Sequence, residues 1–215
     1  MEFILQSSSS SPSSSPSSSQ SSFVNHVRIQ PLLLYAYALG KSYRYEQSEI
    51  VFIQITKHMF PHCSLGHLYY ALFLKRFPNR TQEYMQQIST AVKCLDASFN
   101  EWNEYLYALL NAHGPNSTVL QTLSNLQRQT NQQMKHLGFT FDSSNQLTAV
   151  TCDKNCLHTQ QQQHQQQNII QCAFMFLLCA RLYGKCLNMV ENASNMYERA
   201  SHIERYCHKL CRRSI

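Results

Sequence analysis

Apolar positions along this chain return at intervals of three and four from Phe23 onward, the spacing that lines up side chains on one face of an α-helix. Leu32 to Tyr45 form a first stretch, with Pro31 suited to a first helical position. A second opens at Gln47 or Ser48 and runs to Phe60, where Pro61 stops it. Ser64 caps a third helix that runs through Arg76 and ends at Pro78, and Thr81, with Glu83 close behind, starts a fourth through Leu95. Asp96 or Ser98 caps a fifth, which carries Trp102, Tyr105, Leu106, Leu109 and Leu110 and stops at Gly114 and Pro115. Ser117 opens a sixth with Leu120, Leu123 and Leu126 on one face, closing near His136 and Gly138. Joined by short turns, these segments predict an all-α domain of stacked antiparallel helical hairpins over residues 23–138, an irregular solenoid or a bundle.

Two glycines sharpen that expectation. Leu39-Gly40-Lys41-Ser42-Tyr43 and Leu65-Gly66-His67-Leu68-Tyr69 share the pattern L-G-x-x-Y. A glycine inside a helix costs about 1 kcal/mol relative to alanine, so its recurrence there implies that another helix approaches closely.

After residue 138 the pattern weakens. Phe139 to Thr151 alternates faintly, enough for one short extended strand, and residues 139–167 read as a linker holding the glutamine tract Gln160–Gln167, a loop or a helix extension. At the other end, residues 1–22 are a serine-rich tail that buries too little to offset its chain entropy and is expected to be disordered.

Residues 168–215 carry a signal of their own. Cys172, Met175, Cys179, Leu182, Cys186, Met189, Ala193, Met196, Ala200, Ile203, Cys207 and Leu210 follow at alternating spacings of three and four, none of them charged. Unbroken, that seam would extend about 58 Å at 1.5 Å per residue. Gly184 and the run Asn192 to Asn195 offer a break into two antiparallel helices, the form expected here. Met175, Leu182, Met189, Met196, Ile203 and Leu210 are its candidate protein-interaction residues, packing on the domain or on a partner.

Composition makes covering these faces the central question. Hydrophobic residues make up 43% of the chain and charged residues 14%, so apolar surface must be hidden within the fold or against another molecule. The net charge of +6 concentrates only at the end of the chain, in Arg205, Lys209, Arg212 and Arg213 beside Glu204. Cations complementing a helix C-terminus account for this tip, with nucleic-acid contact as the alternative. Arg44, Lys75, Arg76 and Arg80 fall near hairpin ends and offer either a surface for an acidic peptide or plain solvated charge.

The nine cysteines read as reduced thiols, since Met1 to Leu5 lacks the basic and apolar regions of an export signal. Two sets carry the residue types of a structural zinc site: Cys152, Cys156, His158, Cys207, His208 and Cys211, and His58, His62, Cys63 and His67. Burial of Cys207 in the apolar seam accounts better for the first set, and no metal or cofactor is expected. Cys172 to Ala180, ended by Arg181, falls short of a bilayer span, so the reading is intracellular, in nucleus or cytoplasm, without a membrane partner. Neither a phosphate loop, a nucleophile elbow nor an H-E-x-x-H helix occurs, and catalysis is not expected.

Leu65, Gly66 and Tyr69, followed by Tyr84, Ile88 and Ala91 and then by Trp102, Tyr105 and Leu106, resemble the tetratricopeptide repeat with about six residues added in the turn. Leu39, Gly40 and Tyr43 match its first helix, and Ala193, Tyr197 and Ala200 its second. The resemblance covers about half the chain and implies a concave surface that binds a peptide or helix of another protein, with no chemistry of its own. The resulting expectation is a non-catalytic helical adaptor in an intracellular, nuclear regulatory complex. The alternatives are a nucleic-acid-binding regulator using the basic tip and a helical bundle that self-associates as a homodimer.

Overall fold

A computed structural model of the chain describes residues 18–143, 145–149 and 159–213; over 18–26, 149, 159–166 and 208–213 it describes the backbone alone. The expectations for the first part of the serine tail and for Cys152, Cys156 and His158 lie outside the described residues.

Eight helices stand among the described residues: α1 (Ser18–Lys41), α2 (Tyr45–Ile53), α3 (Ser64–Leu74), α4 (Thr81–Ala91), α5 (Phe99–His113), α6 (Ser117–His136), α7 (Thr159–Arg181) and α8 (Val190–Arg213). The expected all-α architecture of paired helices is the one the chain adopts, with α1 on α2, α3 on α4 and α7 on α8 as the closest pairs. A short antiparallel ribbon, β1 (Phe139–Phe141) with β2 (Leu147–Ala149), follows α6 where one strand was expected. The serine-rich and glutamine-rich segments both contribute helix: α1 starts at Ser18 and α7 at Thr159.

Two apolar cores share α5 as their divider. Ile29, Leu33, Phe52, Ile55, Leu74 and Ile88 belong to the first, between α1, α2, α3 and α4. Leu106, Leu123, Met134, Phe176, Leu182 and Ile203 belong to the second, between α5, α6, α7 and α8. Ala108 of α5 faces one core and Leu109 the other, and Met85 and Tyr105 pack against both.

Several helix boundaries differ from the expected ones, each for a local reason. Pro31 lies inside α1 and does not start it. A proline there removes one backbone hydrogen bond, but Ile29 and Leu33 on either side are buried in the same core and hold the helix on course. Ser98 caps α5 through a reciprocal capping box with Glu101: the Glu101 carboxylate accepts from the Ser98 amide at 2.9 Å and its hydroxyl at 2.6 Å. Asp96, the rival cap, serves another helix, its carboxylate accepting from the Ser64 amide at 3.0 Å at the start of α3. On α6 the inner face is Val119, Leu123, Leu126, Thr130 and Met134, which leaves Leu120 at the solvent margin.

Both glycines of the repeated phrase sit where helices crowd. A Cβ on Gly66 would lie 3.1 Å from Ile29 Cδ1 and 3.1 Å from Ile55 Cγ2. Ile55 reaches that point because α2 continues as a π-helical segment, Gln54–Met59, whose extra residue per turn directs both Ile55 and Thr56 inward. A Cβ on Gly40 would lie 3.3 Å from Ser48 Oγ, and that hydroxyl donates to the Ala36 carbonyl at 2.7 Å across the α1–α2 contact. The tyrosines of the two phrases do not share in this packing. Tyr43 stands past the end of α1 in a left-handed turn, φ 62°, with 80% of its surface exposed, and Tyr69 is partly exposed.

The break between the last two helices falls at Leu187–Met189, close to Gly184 and ahead of the Asn192–Asn195 run, which lies within α8. Leu182–Cys186 is π-helical, Asn188 takes a left-handed conformation at φ 53°, and the Met189 amide donates back to the Tyr183 carbonyl at 2.7 Å. Gly184 permits the tight return, because a Cβ there would sit 3.3 Å from Ala193 Cβ. The seam thus folds on itself. Cys172, Cys179 and Leu182 on α7 and its continuation, with Ala193, Met196, Ala200 and Ile203 on α8, are all buried in the second core. Gln167–Cys186 is long and apolar enough to cross a membrane by length and composition alone, and half of it is buried within this fold.

Candidate functional site

Of the two covers expected for the seam, the domain or a partner, the described residues show the first. Met175, Leu182, Met196 and Ile203 are core residues, and Met189 is half-buried in the turn between α7 and α8. Leu210 lies on the α8 backbone with its side chain outside the described residues. A side chain already covered by its own chain has no apolar surface left to contribute to association.

What α7 and α8 leave open lies one step around each helix. Ile170, Phe174 and Leu177 of α7 are 38%, 45% and 39% exposed, and Tyr197 of α8 is 47% exposed. Together with Ala173, Ala200 and Ser201 they line a groove of about 630 Å³, floored by Ile203 and bordered by Glu204 and Cys207. Lining positions on α7 recur at 170, 174 and 177, and on α8 at 197, 201 and 204, the same steps of four and three. Such a channel runs parallel to both helix axes, so a third helix can lie in it with its side chains between theirs. The Phe99 ring, at the start of α5, sits 5.7 Å from that of Phe174.

The groove has a stiff back. Phe176, on the opposite face of α7 from Phe174, meets Phe141 of β1 edge-on at 5.5 Å, and the Phe139 ring meets Tyr206 at 4.9 Å. Arg199 pins the ribbon to α8 and α6, donating from Nε to Asn145 at 2.9 Å and from Nη1 to Asn131 at 3.0 Å, with its guanidinium 5.0 Å over the Phe141 ring. Burial holds the Arg199 pKa below the usual arginine range. Neither the ribbon nor this arginine was legible as part of a site. The only prior signal was the weak alternation after Phe139.

The basic residues go to separate places. Arg205 is exposed on α8, its Nε donating to the Ser201 carbonyl at 3.4 Å. Lys209, Arg212 and Arg213 fall in the last turns of that helix, their side chains outside the described residues. Of the four cations near hairpin ends, Lys75 pairs with Glu104 at 2.6 Å, and Arg80 pairs with Glu83 and with Glu49, the latter at 2.6 Å. Hydrogen bonds from Arg80 hold the Glu49 and Glu83 carboxyls below the usual glutamate range. Arg76 lies over the Tyr45 ring, 5.5 Å from its centroid. Lys75 and Arg80 are therefore paired with carboxylates of this chain, which leaves Arg44 and Arg76 of the four as the cations open to an acidic peptide.

Of the cysteine and histidine sets, Cys63 and His67 are buried in the packing and Cys207 is half-buried, His58 and His62 are exposed, and the side chains of His208 and Cys211 lie outside the described residues. His67 Nε2 donates to the Pro61 carbonyl at 3.0 Å, and Nδ1 lies 2.8 Å from the Gln87 side-chain amide. Burial pushes the Cys63 thiol up to about 11 and those of Cys172 and Cys179 to about 12, which leaves little thiolate at neutral pH. Among the described residues no three His, Cys, Asp or Glu side chains stand together as a metal site. Comparison with protein-family models, with curated proteins and with solved structures finds no match to this chain.

Proposed function

We propose that this protein is a non-catalytic helical adaptor of an intracellular, nuclear or cytoplasmic regulatory assembly, and that it docks a helix of its partner in the open groove between α7 and α8. The observation that carries the reading is the set Ile170, Phe174, Leu177 and Tyr197, four large apolar side chains left open along one channel of helical spacing. Contiguous apolar surface of that kind is expensive to leave in water and is the usual mark of an interaction site. The tetratricopeptide-like phrases support the same class of function, since their glycines serve close helix packing. The exposed Tyr43 is where the likeness is weakest.

The test is a double substitution, Phe174→Glu with Leu177→Glu, introduced into the full chain and used for affinity isolation from the native cell beside the unaltered protein. Both positions face solvent, so the helical spectrum and the melting temperature should hold within a few degrees. Proteins retained by the unaltered chain should be lost from the variant. Retention of the same proteins by a folded variant would remove the groove from the account. Sedimentation of the purified chain separates a partner helix from a second copy in the same groove.

A further inference from the structure

Helix α1 carries two apolar faces, and among the described residues its own chain covers only one. Ile29, Leu33, Ala36 and Leu39 point into the first core, each at most 5% exposed. On the other side Val27, Pro31, Leu34 and Ala38 recur at steps of four, three and four, all exposed, with Leu34 at 67% and the neighbouring Tyr35 at 56%. A helix with apolar stripes on two opposite faces has a second face to cover, and steps of three and four make a seam that another helix fits.

Charge says which helix. Residues 18–41 contain no aspartate or glutamate, while Arg28 and Lys41 flank the outer seam and Arg44 follows it, all exposed. Lys41 lies over the exposed Tyr37 ring at 5.3 Å, at the edge of the same face. A second copy fits poorly there. Laid parallel or antiparallel, it brings Arg28 and Lys41 of both chains to one seam with no carboxylate of residues 18–41 to offset them.

We infer that the outer face of α1 is a second docking surface, which takes an amphipathic helix of another protein whose apolar seam is flanked by aspartate or glutamate. This surface is on the first core, away from the α7–α8 groove on the second, and it stands or falls independently of that groove. One adaptor then holds two helices at once.

Three-heptad helical peptides with leucine and alanine in the seam test this, one flanked by glutamate and one by lysine, titrated against the full chain by fluorescence anisotropy at low salt. The glutamate-flanked peptide is expected to bind at least about tenfold more tightly. Leu34→Glu with Tyr35→Glu should abolish that binding, while Arg28→Glu with Lys41→Glu should reverse the preference; far-UV circular dichroism checks that each variant is folded. Phe174→Glu with Leu177→Glu should leave it unchanged, which separates this surface from the groove. Equal binding of the two peptides, or binding of neither, overturns the proposal. So does a dimer that L34E/Y35E dissolves, or adsorption to phosphatidylserine vesicles that the same variant abolishes.

Discussion

Phe176→Ala is expected to lower the unfolding free energy by about 3–5 kcal/mol, a large part of what a domain of this size has. Phe176 is fully buried and among the largest side chains in the second core. It supports β1 through Phe141, and the Arg199 guanidinium lies 6.0 Å from its ring, so the cavity would open where helix, ribbon and cation meet. Urea melts should show an earlier midpoint at unchanged slope. Phe174→Ala, two residues earlier and facing the groove, should cost under about 1 kcal/mol. Equal losses at the two positions would mean that α7 is rotated from the orientation described.

Gly66→Leu is expected to destabilise by about 1–3 kcal/mol or more, although leucine is the better helix former by nearly 1 kcal/mol. Propensity and packing oppose each other at this position, and packing decides the sign. A Cβ alone already meets Ile29 and Ile55 at 3.1 Å, so the rest of a leucine side chain must push α1 and the π-helical segment off α3. A loss of melting temperature by the full chain checks it. A gain would show that no helix crosses close to Gly66.

Helical segments were legible because each advertises itself locally, and Ser98 and Gly114 act within one turn of the ends they set, although the cap of α6 is Asn116 and not Ser117. The close approach at Gly40 and Gly66 was legible for a different reason: glycine is costly in a helix unless something needs the space. Pro31 misled, since a local rule cannot register that Ile29 and Leu33 are anchored in one core on both sides of it. The seam from Cys172 to Cys207 was legible as one apolar stripe, but its spacing is the same whether a partner covers it or the chain folds back to cover itself. Only the return at Leu187–Met189, set by Asn188 and Gly184, decides between them. Once the seam turned inward, the open surfaces had to be the neighbouring positions, Phe174 and Leu177 on α7 and Leu34 and Tyr35 on α1. Before the fold was known, nothing distinguished those residues from core.

Two cysteines report directly on that inward turn of the seam. Cys172 and Cys179 are seam residues with no exposed surface and thiols pushed up to about 12, whereas Cys186 and Cys207 are only half-buried. The decisive measurement is the rate of thiol labelling at each position in the purified native chain, read by mass spectrometry across a denaturant series. Cys172 and Cys179 are expected to react only at the rate at which the domain opens, and to speed up with denaturant in step with global unfolding. Labelling of both in the native chain, as fast as an unburied thiol reacts, would contradict it and return the seam to the surface.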